Sequence, residues 1–78
     1  MRAIFLMIKA EPGEAYEVAA KIAETEQASE VYSIAGNYDL LVKCYVEKED
    51  DIGRFVSQLI KQCPGIRDTN TIITHRAF

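Results

Sequence analysis

From Ala3 to Ile8 every residue is apolar, the longest such run in the chain. In an extended strand successive side chains point to opposite faces, so Ala3, Phe5 and Met7 share one side and Ile4, Leu6 and Ile8 the other. A strand apolar on both sides requires cover on both sides of its sheet. That is demanding for a chain of 78 residues, because a domain of roughly 60 residues buries only about 60% of its unfolded surface. Disulfides are not the remedy. Cys44 and Cys63 are too few for a framework, and neither has a CxxC partner or a His at zinc-ligand spacing. They read as reduced thiols of an intracellular protein. The run therefore predicts that the chain completes its burial by oligomerising.

The rest of the chain supplies one layer of cover. The first strand, Ala3–Lys9, is broken by Pro12-Gly13. Within Glu14–Glu24, Ala15, Val18, Ala19, Ile22 and Ala23 recur at helical spacing, with Glu11 and Glu14 near the positive end of the helix dipole. Thr25–Ser29 reads as a polar connection, and Val31–Ala35 as a second strand. Gly36-Asn37 marks a hairpin turn into a third strand, Asp39–Val46. Lys48-Glu49-Asp50-Asp51 opens a second helix with Asp50 as its N-cap. Ile52, Phe55, Val56, Leu59 and Ile60 give that helix the strongest periodicity in the chain, and Pro64-Gly65 ends it. Thr69–His75 is the last strand.

The order βαββαβ predicts an α+β, ferredoxin-like fold occupying residues 1–78 as one domain. Right-handed crossovers put both helices on one face of a four-stranded antiparallel sheet. The second apolar face of the first strand is then left bare, and two sheets packed face to face as a dimeric α+β barrel would cover it.

Composition narrows the function. Nine Lys and Arg stand against twelve Asp and Glu, for a net charge of −3, and no two basic residues adjoin. Nucleic-acid binders concentrate basic charge in a patch or stripe, so direct nucleic-acid binding is not expected. The apolar run falls far short of the ~20 residues that cross a bilayer. Lys9 and Glu11 end it without a signal-peptide cleavage site, so a cytoplasmic protein with no membrane association is expected.

No catalytic residue, metal site or cofactor is expected either. His75 is the lone histidine, with no nucleophile or carboxylate placed beside it by motif. Glu47, Glu49, Asp50 and Asp51 lack the spaced oxygen ligands and glycine of a calcium loop, and helix capping explains them better. The four glycines form no phosphate-binding loop.

The densest polar constellation is Gly36-Asn37-Tyr38-Asp39-Leu40. As a bare pattern it is a hairpin turn. Read chemically, a glycine turn presents backbone N–H groups that hold a carboxylate, Asp39 offers a negative charge to an ammonium group, and Tyr38 adds an aromatic wall with a polar tip. Those are the demands of a zwitterionic amino acid. Thr69 and Thr71 add hydroxyls on one face of the last strand, although Thr at i and i+2 is ordinary strand composition.

The stretch Val31–Lys43, with Gly36, Tyr38 and Asp39 at its centre, resembles the GxYD segment of the Lrp/AsnC transcriptional regulators. Ile8–Gly13 resembles the first strand and turn of their effector domain, the regulation-of-amino-acid-metabolism domain. Cys63-Pro64-Gly65-Ile66 followed by Thr69-Asn70-Thr71 resembles its PGV…TxT ending. The resemblance runs from about residue 3 to about residue 74. It implies a βαββαβ fold, homodimers that assemble further, commonly into octameric rings, and an amino-acid effector bound between dimers. Carried over, Gly36, Tyr38 and Asp39 would lie at the effector site, Thr69 and Thr71 would match polar strand positions, and Asn37 would tune selectivity. Full-length regulators carry an N-terminal winged helix-turn-helix. This chain begins at the effector domain, with Met1 close to the first strand, and resembles the family's stand-alone members. Such a module would act on transcription through assembly or through full-length Lrp/AsnC partners.

Two other readings share the element order. A dimeric α+β-barrel enzyme of oxygenase type would need a cavity between helices and sheet, whereas the helix faces here look like filled core. A ligand-free oligomerisation module would pair Asp39 with a basic residue such as Arg54 or Arg67.

Overall fold

The long apolar strand lies inside the sheet, as its composition demands. The computed structural model describes residues 1–47 and 50–78. Strand β1 (Arg2–Ala10) pairs on one side with β3 (Leu40–Val46) and on the other with β4 (Ile66–Ile73), and β2 (Ala28–Ser33) lies outside β3. All three pairings are antiparallel, in the order β2-β3-β1-β4. With α1 (Ala15–Glu24) and α2 (Ile52–Gln62), this is the expected βαββαβ arrangement.

Register explains the two faces. Ile4, Leu6 and Ile8 stand opposite Cys44, Val42 and Leu40, and all six are sealed from solvent. Val18 and Ile22 of α1 and Val56 and Leu59 of α2 join them in one core. Burying each such side chain stabilises the fold by about 1.5–3 kcal/mol. On the opposite face Phe5 and Met7 meet Lys43 and Leu41, with Tyr32 and Ile72 alongside. There Tyr32, Tyr45 and Ile72 are 52%, 47% and 43% exposed. Among the described residues, none of the chain's own elements buries this second face.

Several boundaries differ from the sequence reading. β2 begins at Ala28, inside the expected polar connection, because Ala28 and Val31 both pair onto β3 on the core side. Ser29 and Glu30 disguise it, as solvated residues of an edge strand. β4 begins at Ile66, three residues before Thr69, and ends at Ile73 rather than His75. Its pairing with β1, which reaches Ala10 opposite Ile66, overrides the weak strand preference of Asp68. The N-cap of α2 is Asp51, not Asp50: its carboxylate accepts the Arg54 N–H at 3.1 Å. Asp50 instead accepts the Glu47 N–H at 2.8 Å. Lys48 and Glu49, expected at that opening, lie outside the described residues.

The Pro64-Gly65 stop is as sharp as it looks. Gly65 has φ of 101°, and a Cβ there would sit 3.0 Å from the Val18 side chain, so both backbone and space require glycine. Its carbonyl also accepts the Glu11 N–H at 2.8 Å, tying the two strand–helix junctions together. No helix among the described residues is long and apolar enough to cross a membrane.

Candidate functional site

The β2–β3 connection is longer than a two-residue turn. The Ile34 N–H donates to the Asp39 carbonyl at 2.9 Å, so Ala35–Tyr38 form the excursion beyond the last backbone pair. Gly36, at φ of 116°, turns the chain at its tip. Gly36 and Asn37 are exposed, while Tyr38 and Asp39 are half-buried at its return.

Three bonds hold this loop to the end of β1. The Asp39 N–H donates to the Ile8 carbonyl at 2.9 Å. The Ala10 N–H donates to Oδ2 of Asp39 at 2.8 Å, where the β1–β4 register shifts between Lys9 and Ala10. The Lys9 ammonium donates to the Asn37 carbonyl at 3.3 Å. One carboxylate oxygen of Asp39 is thus spent on the backbone. The other accepts no hydrogen bond among the described residues. A fixed carboxylate beside an exposed glycine turn and a lysine can receive both a cationic and an anionic group.

Lys9 was not singled out from the sequence. The usable signal was topological: a ferredoxin-like fold places β1 beside β3, and the register that pairs Ile8 with Leu40 puts Lys9 next to Asp39.

The threonines lie elsewhere. Thr69 and Thr71 stand opposite Ile8 and Leu6, half-buried on the helix side of β4. Because β1 lies between β4 and β3, Thr69 is two strand spacings from Leu40, roughly 10 Å. Gly36, Asn37, Tyr38 and Asp39 therefore form one group, and one chain does not bring Thr69 and Thr71 into it.

His75 lies past the end of β4 and is exposed. Ile4, Leu6, Ile8, Val18, Ile22 and Leu59 fill the space between helices and sheet where an enzymatic cavity would be needed. Among the described residues there is no group of three or more potential metal ligands. Asp39 makes no ion pair with Arg54 or Arg67: the one ion pair among the described residues is Lys43–Glu30, at 3.5 Å.

That pair centres a second polar group, on the open sheet face. The Tyr32 hydroxyl donates to Glu30, and the Lys43 ammonium lies 5.1 Å from the Tyr45 ring centre and 6.0 Å from that of Phe5. The Tyr32 hydroxyl, and then Lys43, hold the Glu30 carboxyl below its ordinary pKa. Glu30 in turn raises that of Tyr32. Tyr45, and then Glu30, raise that of Lys43. Burial pushes the Cys44 thiol up to about 11, which keeps it protonated and a poor nucleophile.

Residues 3–78 match the model of the Lrp/AsnC ligand binding domain. The HTH-type transcriptional regulator FL11 of Pyrococcus horikoshii is 33% identical over 75 residues, covering 92% of this chain and 49% of that protein. The chain thus spans about half the length of the curated relatives it matches. Among solved structures, TTHA0845 from Thermus thermophilus superposes with a TM-score of 0.88 at 29% identity, covering 100% of this chain and 98% of that one. The transcriptional regulator NMB0573 of Neisseria meningitidis, solved as its complex with L-Met, shares the fold at a TM-score of 0.80 and 16% identity, over 96% of this chain and 50% of that one. The residues matched take in β1, the Gly36–Asp39 loop and β4, and the chain belongs to the Lrp/AsnC family, through that family's ligand-binding domain.

Proposed function

We propose that this chain is a non-enzymatic regulatory module that binds an amino acid and acts on transcription through its assembly, or through full-length Lrp/AsnC partners, rather than by contacting DNA itself. The observation that carries the reading is the Asp39 carboxylate, pinned by the Ala10 N–H at 2.8 Å, with no hydrogen bond to its second oxygen among the described residues. It has the chemistry to accept an α-ammonium group, while the Gly36 turn and the Lys9 ammonium have the chemistry to receive an α-carboxylate. The L-Met complex of the Neisseria protein lends support from a chain of the same fold.

Two features support a role for assembly in that function. The open sheet face, with Phe5, Met7, Leu41 and Ile72, has the composition of a homodimer interface. Thr69 and Thr71 lie two strands from the Asp39 loop of their own chain, which fits a ligand held between dimers of a larger ring, with Asp39 from one chain and the threonines from another. A ligand so placed shifts assembly only as far as it favours one state over the other.

Thermal denaturation with each of the twenty amino acids tests this directly. A ligand at about tenfold its Kd adds about 1.4 kcal/mol, which moves the midpoint of a domain this small by several degrees. At least one amino acid is expected to do so. A flat panel at millimolar concentration (roughly the weakest range worth calling specific) removes the proposal.

A further inference from the structure

Lys9 and Asp39 are neighbours at the end of the sheet, one position beyond the Ile8–Leu40 pair, yet they do not neutralise each other. The Asp39 carboxylate turns to the Ala10 N–H at 2.8 Å, and the Lys9 ammonium turns to the Asn37 carbonyl at 3.3 Å. Neither takes part in an ion pair among the described residues. Lys9 follows Phe5 and Met7 in the alternation of β1, but it lies at the rim of the open face and its ammonium runs along the loop. Two opposite charges kept apart at one loop leave both available to a third body.

The receptors of each sign are unequal in number. The N–H groups of Ala35, Gly36, Asn37 and Tyr38 donate no backbone hydrogen bond among the described residues, so the Gly36 turn can receive one carboxylate. An ammonium has three donors, and Lys9 uses one on Asn37, which leaves enough for a second carboxylate. Against these stands one acceptor for a cation, the second oxygen of Asp39. Glu11, the next acid along β1's exit, has its backbone tied to Gly65 at the α2–β4 junction. The β4 segment that would bring Thr69 and Thr71 from another chain carries Arg67 and Asp68, one charge of each sign, and leaves the balance unchanged.

We infer that the ligand of this loop is an acidic amino acid, aspartate or glutamate. Its α-carboxylate meets the Gly36 turn, its α-ammonium meets Asp39, and its side-chain carboxylate meets Lys9. The inference rests on the amino-acid reading above and adds the charge class, with Lys9 as the residue that sets specificity. A neutral amino acid leaves Lys9 without a counter-charge, and a basic one sets a second cation beside it.

Calorimetric titration of the full chain with L-aspartate, L-glutamate, their amides, L-leucine, L-lysine and glutarate tests it. The better acid is expected to bind about tenfold or more tightly than its amide, the scale of one charge-assisted bond. Lys9→Gln is expected to erase that ratio while the amide binds as before, and Lys9→Arg to retain it. Lys61→Gln, which removes an exposed cation from α2, is expected to leave it unchanged. Equal weakening of acid and amide by Lys9→Gln marks a purely structural lysine and overturns the inference. An amide, leucine or lysine that binds the native chain more tightly than both acids overturns it without any variant, and leaves the amino-acid reading standing. Glutarate binding as tightly as glutamate overturns it too, since the ammonium is then unread. Absence of binding by every amino acid removes the underlying reading and this inference with it.

Discussion

The carboxylate of Asp39 accepts the backbone N–H of Ala10 at 2.8 Å, across 29 positions of sequence. One side chain thus ties the β2–β3 loop to the last residue of β1 and leaves one oxygen for another partner. The structural role and the proposed ligand role coincide at this residue, and two substitutions separate them. Asp39→Asn retains an oxygen that accepts from Ala10 but loses the charge. It is expected to unfold near the native midpoint and to bind amino acid about tenfold or more weakly, the scale of a charge-assisted bond. Asp39→Ala leaves the Ala10 N–H without its partner and is expected to cost about 1–3 kcal/mol besides. Urea denaturation and calorimetry of both variants decide. Unchanged affinity in Asp39→Asn would confine this residue to holding the loop.

Placing Thr71 and Asp39 at one ligand predicts complementation. Thr71→Val, like Asp39→Asn, is expected to bind weakly on its own. When the two variants are unfolded together and refolded as a mixture, sites that draw Asp39 from one chain and Thr71 from another recover. With random mixing about a quarter of the sites are intact, as follows when the two residues come from different copies in a symmetric oligomer. Titration stoichiometry measures that fraction. No recovery would mean that a ligand does not use both residues across chains.

The open sheet face predicts its own test. Leu41 lies between Met7 on β1 and Tyr32 on β2, in the middle of that face. Leu41→Glu leaves the helix-side core untouched but places an unpaired carboxylate where two sheets would meet, at a cost of several kcal/mol. Sedimentation velocity is expected to find the native chain as dimers or larger, and the variant shifted to monomer at micromolar concentration with unaltered circular dichroism. A native chain that already sediments as a monomer would remove the dimer proposal.

Glu30 and Tyr32 give the same face a dependence on pH. The Glu30 carboxyl is held below its ordinary 4.5 by the Tyr32 hydroxyl and then by Lys43. Its contribution to stability is therefore complete above that value and is lost as pH falls through the lower folded pKa. The Tyr32 hydroxyl is raised above its ordinary 10.0 by Glu30. Its contribution is complete below that value and fades as pH rises through the raised one. Both groups are exposed, so each effect is small. Glu30→Gln is expected to flatten the unfolding midpoint on both sides, below 4.5 and above 10.0. Denaturation series across those two windows compare the slopes, and identical slopes in variant and native protein would refute the coupling.

Much of the fold was legible because it follows from local periodicity. The helical spacing of Ile52, Phe55, Val56, Leu59 and Ile60 placed α2, and the two-sided apolar run of β1 announced a strand that needs cover on both faces. Boundaries were less legible where long-range pairing outweighs composition. Ala28 and Ile66 are strand residues because β3 and β1 offer them partners, and neighbours such as Ser29 and Asp68 hide this. Asp51 rather than Asp50 caps α2 because one residue of phase decides which carboxylate reaches the Arg54 N–H.

The candidate site divides along the same line. The residue types of Gly36–Asp39 and their place in a hairpin could be read directly, since turn chemistry is local. That Asp39 is bound to Ala10, that Lys9 stands beside Asn37, and that Thr69 and Thr71 lie two strands away were decided by the tertiary structure alone. Each depends on which strands are neighbours and in what register, and a shift of one residue would turn every side chain of a strand to the other face. The sequence by itself determined that β1 must be covered on both faces. Only the folded chain decided which face the helices cover, with Ile4, Leu6 and Ile8 turned toward them and Phe5, Met7 and Leu41 left on the other side, because that choice depends on how the strand is rotated under the crossovers and shifts with a single residue of register.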